Sequence, residues 1–180
     1  MKIAPEFSRP IRVDALPATP RAIEAGANEA ERAALAKRFG LAGIDKLSAE
    51  ALLSRRGEDV IAEGNLSASV TQSCVATGEP VPARVEETFS IVFRPHPERI
   101  APDEEIELSE GELDVVFFDG ASIDFGEAVA ETLSLSLDPY PRAPEAETAL
   151  REAGVKGEDE VEPSGPLAGL KDLLEGKTTK

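Results

Sequence analysis

The longest regular pattern in the chain is an alternation of apolar and polar residues that begins near residue 44 and runs, with two interruptions, to residue 93. Asn65-Leu66-Ser67-Ala68-Ser69-Val70-Thr71-Gln72 alternates at period two and residues 84–93 alternate again, the spacing of strands that bury one face. The interruptions, Arg55-Arg56-Gly57-Glu58 and Thr77-Gly78-Glu79-Pro80, carry turn residues. The pattern therefore predicts strands over 46–54, 58–71 and 84–93, joined as a three-stranded antiparallel meander across 44–93. Pro95-His96-Pro97 ends it, because prolines have no N–H to give a ladder.

The flanks predict shorter elements. Residues 3–16 hold apolar anchors Phe7, Ile11 and Val13 between Pro5, Pro10 and Pro17, which fits an edge strand. Thr19-Pro20 resembles a helix start and Gly40 a helix stop, so residues 21–39 read as a helix with a narrow stripe of Ile23, Ala27, Ala30, Ala34 and Phe39. After the meander, residues 104–108 and 112–118 read as strands joined by Ser109-Glu110-Gly111. Asp124 stands three residues before Glu127, the spacing of a capping box, and opens a helix over 125–135 that stops before Asp138-Pro139-Tyr140-Pro141.

Beyond Pro141 the composition turns to Glu, Ala, Pro and Gly, a linker that buries too little to offset the entropy of ordering. It ends in Leu167, Leu170, Leu173 and Leu174, a stripe on a helix too short to stand alone in water, which must dock on its own domain or on a partner. The expected organisation is a core domain over 1–141, an acidic linker over 142–163 and an amphipathic helix over 164–180. The fold class is α+β: a twisted antiparallel sheet or partial barrel covered by two helices, with a flexible acidic C-terminal tail.

Composition narrows the core and the partners. Of 180 residues, 26 are alanine and 45 are Leu, Ile, Val or Phe, so the core is modest and concentrated between residues 41 and 137. The net charge of −16 is uneven: residues 1–60 carry 10 basic and 9 acidic side chains, and residues 61–180 carry 9 and 26. Nucleic-acid binding draws its affinity from Lys and Arg on phosphates, so such a surface is expected to avoid DNA and bare RNA and to favour basic proteins. Residues 1–12 lack the apolar run of a secretory signal and no stretch approaches a membrane span, so a soluble cytoplasmic location is expected.

Candidate chemistry is sparse. One cysteine, Cys74, and one histidine, His96, form the sole conceivable nucleophile and base pair, with no Gly-rich elbow beside either. They also fall short of the four ligands of a structural zinc site. Asp103, Glu104, Glu105 and Glu107 lack the Asp-x-Asp-x-Asp-Gly pattern of a calcium loop, although a divalent-metal enzyme built on this acidic stretch is the alternative from another class. No phosphate-cradling glycine loop occurs, and one Tyr with no Trp serves base stacking poorly. The residues favour a binding module over an enzyme, with no cofactor.

The order of several landmarks is informative together. Gly64 precedes the hairpin that carries Cys74, Gly78 and Pro80. Ile123-Asp124-Phe125 leads into a helix containing Glu131, followed by Leu135-Ser136-Leu137 and Pro141, and the chain closes with Pro166-Leu167-Ala168 and Leu170-Lys171. In this order the chain resembles the YceD family of large ribosomal RNA subunit accumulation proteins, as an alphaproteobacterial-type member. The resemblance implies a role in 23S rRNA accumulation and large-subunit assembly. Many members of that family carry Cys-x-x-Cys at this hairpin tip and a further cysteine after the later proline. Here Thr77 occupies the second position and no cysteine follows Pro141, so the resemblance carries no metal site to this chain. Cys74, Thr77, Gly78 and Pro80 are then expected to act as a structural turn. Together with the charge, the resemblance implies a non-enzymatic factor that binds a basic large-subunit ribosomal protein or assembly factor, its rRNA association being indirect; direct rRNA binding is the other alternative. The candidate partner-binding residues are Glu104, Glu105, Glu107, Asp124, Glu127, Glu131, Leu167, Leu170, Leu173 and Leu174.

Overall fold

A computed structural model describes residues 5–17, 19–96 and 114–155. The long alternation forms three strands, β3 (Gly43–Arg56), β4 (Asp59–Ser73) and β5 (Pro80–Pro95). They pair as the predicted antiparallel meander, with Arg56 opposite Asp59 and Ser73 opposite Pro80 at the two turns. Two further strands, β2 (Arg21–Gly26) and β6 (Val115–Phe118), complete an open five-stranded sheet in the order β2-β3-β4-β5-β6. β2 is antiparallel to β3, whereas β6 runs parallel to β5, so the sheet is mostly antiparallel. Its two outer strands do not meet, and no barrel closes.

Period two decides which face is buried. Leu53, Ala62 and Ile91 lie in one cross-strand row, Ala51, Gly64 and Phe89 in the next, and Leu47, Ala68 and Val85 further along. Their apolar side chains join a single core with Leu35 and Ala36 of α1 (Glu29–Phe39) and Phe125, Val129 and Leu133 of α2 (Phe125–Ser136). The opposite face, with Ser48, Glu50, Asn65, Ser67, Glu86 and Thr88, has no such cover among the described residues and is partly or fully exposed. The short strand β1 (Pro10–Arg12) pairs antiparallel with β7 (Ser122–Asp124) in a separate two-stranded ribbon, so the predicted edge strand belongs to this ribbon and not to the main sheet.

Two expectations are corrected. The first six residues of the predicted 21–39 helix are strand β2, and the helix begins eight residues later than expected. Asn28, not Thr19, caps it: the Asn28 side chain accepts from the Glu31 N–H and the Glu31 carboxylate accepts from the Asn28 N–H. Ile23 and Ala27 therefore lie outside the helix, while Gly40 closes it in the left-handed region at φ 66°, as expected. The second correction is α3 (Ala146–Glu152), which forms inside the stretch read as a linker. The predicted strand over 104–108, the start of that over 112–118 and the leucine stripe fall outside the described residues.

Two glycines are required by space. A Cβ on Gly64 would lie 2.0 Å from the Glu50 carbonyl oxygen and 2.7 Å from Ala51 Cα, so β3 and β4 approach too closely for any side chain there. A Cβ on Gly126, in the first turn of α2, would lie 2.5 Å from the Phe7 carbonyl oxygen, which lets residues 7–9 lie on the helix. Gly64→Ala is expected to cost on the order of 3 kcal/mol by forcing the strand pair apart. Gly43→Ala, with nothing within 4 Å of its Cβ, is expected to stay within about 0.5 kcal/mol. Urea unfolding of both variants measures the difference, and equal stabilities would refute the close approach.

Candidate functional site

The β4–β5 connection is built around Cys74. Its N–H donates to the Glu79 carbonyl at 2.7 Å, and its carbonyl accepts from the Gly78 N–H at 2.8 Å. Gly78 sits at φ 75°, a conformation a side chain would resist. The Thr77 hydroxyl donates to the Glu79 carboxylate at 3.1 Å and accepts from the Glu79 N–H at 3.3 Å. Thr77 and Gly78 thus lie within the turn. Pro80 starts β5 opposite Ser73.

The thiol is buried and surrounded by donors. The Ala143 N–H is the strongest, followed by the Thr77 hydroxyl, whose one proton is shared with the Glu79 carboxylate, and the N–H groups of Thr77 and Ala76; they pull the Cys74 pKa from 9.0 down to about 7 against the opposing effect of burial. Ala143 and Ala146 complete a small apolar cluster with Cys74, and the Val75 N–H donates to the Pro141 carbonyl at 2.9 Å. The Val75–Pro141 bond and this cluster fasten the chain between α2 and α3 to the hairpin tip. Sequence reasoning missed Ala143, since a backbone N–H leaves no mark in the residue pattern.

Cys74 and His96 do not meet. They lie beyond opposite ends of β5, whose length at about 3.3 Å per residue is on the order of 50 Å. His96 stacks on Phe117 with ring centroids 5.1 Å apart. Among the described residues, no group of three His, Cys, Asp or Glu side chains is placed to hold a metal ion.

The acidic candidates divide into three groups. Glu104, Glu105, Glu107 and the four leucines, Leu167, Leu170, Leu173 and Leu174, lie outside the described residues. Asp124 caps α2, accepting from the Glu127 N–H at 3.2 Å, the Arg9 N–H at 2.7 Å and the Ser8 hydroxyl at 2.5 Å. Glu127 turns away from that cap and takes both Nη atoms of Arg38, at 2.8 and 3.0 Å, while Arg38 also reaches Glu6 at 3.0 Å. Asp124 and Glu127 are thus engaged within the fold. Glu131, one turn along α2, is exposed as a residue while its carboxyl is partly desolvated by the surrounding protein; that desolvation and the nearby Glu127 charge raise its pKa, opposed by Arg38.

More carboxylates stand on the uncovered sheet face. Glu24 of β2 lies directly opposite Glu50 of β3, and Glu63 and Glu86 occupy the same face further across. Like charges directly opposite on a sheet repel. Lys46 and Arg84 flank Ser69 in a row towards the Cys74 end.

The turn yields a graded expectation. Cys74→Ser keeps an acceptor at this position and is expected to cost little stability, whereas Cys74→Val removes it and is expected to cost about 1–3 kcal/mol. The lowered pKa also fixes a sign. Between about pH 7 and pH 9 the folded thiol is ionised while the unfolded one holds its proton, so stability rises with pH across that window and the gain is lost as pH falls through 7. Urea unfolding under reducing conditions should show this rise in the unaltered chain and not in Cys74→Ser; identical profiles would refute it.

Among the described residues, no helix is long and apolar enough to cross a membrane. Neither a curated protein nor a solved structure matches the chain. The family model described as large ribosomal RNA subunit accumulation protein YceD matches residues 62–174. That span opens two residues before the close approach at Gly64 and takes in the Cys74 turn, β5, α2 and α3, more than half of the chain, which therefore belongs to the YceD family.

Proposed function

We propose that this chain is a non-enzymatic factor that supports accumulation of large-subunit rRNA by holding a basic ribosomal protein or assembly factor. The observation that carries this reading is the Glu24–Glu50 pair on the uncovered sheet face of a chain with net charge −16. Two exposed carboxylates held opposite one another cost stability unless a cation lies between or over them. A basic protein supplies such cations and gains in association rate from the long-range field. An RNA backbone would meet repulsion from the same surface. Glu131 and the acidic residues Glu104, Glu105 and Glu107 add to this field; Asp124 and Glu127 serve the fold.

Total protein extracted from large ribosomal subunits, passed over the immobilised full chain at physiological salt, tests the reading. Retention of basic proteins, weakening as salt rises, is the expected result. Glu50→Gln should stabilise the free chain by about 0.2–1 kcal/mol through relief of the repulsion, and at the same time weaken retention. Tight binding of rRNA fragments at physiological salt with no retention of basic proteins would sink the proposal.

A further inference from the structure

Half of the large apolar side chains left exposed among the described residues gather around one groove. It holds about 510 Å³ and lies where the end of α1, the end of α2 and the tip of the β4–β5 hairpin meet; Phe39 and Leu41 line it from the first, Leu135 and Leu137 from the second and Val75 from the third. Leu135 is 86% exposed and Val75 54%, and Tyr140, at 72%, stands between Pro139 and Pro141 on the same rim. The core does not account for Leu135. α2 buries Phe125, Val129 and Leu133 at intervals of four, and Leu135 follows Leu133 by about 200° around the helix. Gln72, buried at the end of β4, donates its Nε2 to the Asp138 carbonyl at 2.8 Å, which holds the segment after α2 against β4 and fixes the shape of the groove.

The chain carries an apolar stripe that suits such a groove. Leu167, Leu170, Leu173 and Leu174 are spaced to cover one side of about two helical turns, and a helix of that length is marginal in water by itself. Its tether leaves from this end of the molecule. The Val75–Pro141 bond and the packing of Ala143 and Ala146 on Cys74 start α3 beside the groove, and the seven residues of α3 add about 10 Å. Residues 156–166 then give a reach of up to about 35–40 Å, so length sets no obstacle. Charge agrees: residues 164–180 carry three lysines against Asp172 and Glu175, a net positive segment in a chain of net charge −16, and Asp138 is the charged side chain on the groove. The family match takes in the hairpin tip and α2 and runs on to Leu174, the last leucine of the stripe, so the stripe belongs with the segments that build the groove.

We propose that residues 167–174 dock as a helix in this groove of their own chain, with the leucine stripe against Val75, Leu135 and Leu137. The tether makes the encounter intramolecular, at an effective concentration on the order of millimolar, so a modest apolar surface suffices to hold the segment. Docking lends the short helix the tertiary contacts that it lacks alone and covers apolar surface that would otherwise favour association between chains. It is independent of the function proposed above.

Methyl nuclear Overhauser contacts on the full chain test the docking. Contacts from Leu170, Leu173 or Leu174 to Val75, Leu135 or Leu137 are expected, and they should persist unchanged on dilution. The amides of residues 170–174 are expected to exchange at least tenfold faster in Leu135→Ser than in the unaltered chain, while those of β4 keep their rates. Should Leu135→Ser fail to fold, Leu173→Ser, placed on the stripe itself, is expected to free the same amides, and the contacts in the unaltered chain decide. Groove contacts made by residues 97–113 in place of the stripe overturn the proposal, as does a groove that no segment touches. Contacts seen only between differently labelled chains in a mixture assign the groove to a second copy and overturn it. Fast exchange at 170–174 in the free chain that slows only when large-subunit proteins are added assigns the stripe to a partner, and also overturns it.

Discussion

The close approach of β4 to β3 at Gly64 is the constraint on which the rest of the molecule depends. β4 is paired on both sides, to β3 and to β5, so its register sets that of the whole meander. A one-residue slip would turn Val60, Ala62, Leu66, Ala68 and Val70 to solvent and bring Glu63 and Asn65 into the core. With glycine at 64, the backbone of β4 comes so near Glu50 and Ala51 that no other residue could take that position in register. The parity this imposes reaches the surface: it sends Glu50 and Glu86 to the open face and decides which backbone groups of β5 point outward.

The helical cover is fastened by polar contacts of a different kind. Arg9 donates to Glu31 at 2.7 and 2.9 Å, so the segment before β1 is tied to the first turn of α1, and Asp124 ties the same segment to the first turn of α2. Arg38 then joins the last turn of α1 to Glu127. Each pair is partly exposed, which holds its contribution to about 1 kcal/mol or less. Their value lies in direction, since each links elements far apart in sequence. The apolar contacts of Phe7, Leu35, Phe125, Val129 and Leu133 supply most of the favourable free energy.

What could be read in the residues follows from the range of the interaction involved. The meander was legible because period two and turn chemistry are local, and the α2 helix because Asp124 caps it three residues before Glu127. The 21–26 strand was misread because Thr19-Pro20 imitates a helix start, although Asn28 and Glu31 carried the better capping signal. The parallel pairing of β6 and the ribbon of β1 with β7 join residues separated by long stretches of chain, and alternation says nothing about which strands meet. At the candidate site, the turn around Cys74 was legible from Gly78 and Pro80. The donors that hold its sulfur were not, because three of them are backbone N–H groups and the strongest comes from Ala143. Ala146, the first residue of α3, and Ala143 before it pack against that thiol in a stretch that composition alone assigns to a linker.

The open face has a physical logic of its own. A chain selected only for stability would separate Glu24 from Glu50, which a single substitution at an exposed position achieves. The repulsive pair sits on the face that α1 and α2 do not cover. Local frustration of this kind is expected where a surface is completed by another molecule, because the free energy forgone in the free chain returns as differential affinity for the occupant that relieves it. Positive charge over the open face would relieve that carboxylate repulsion, which a nucleic-acid backbone could not do.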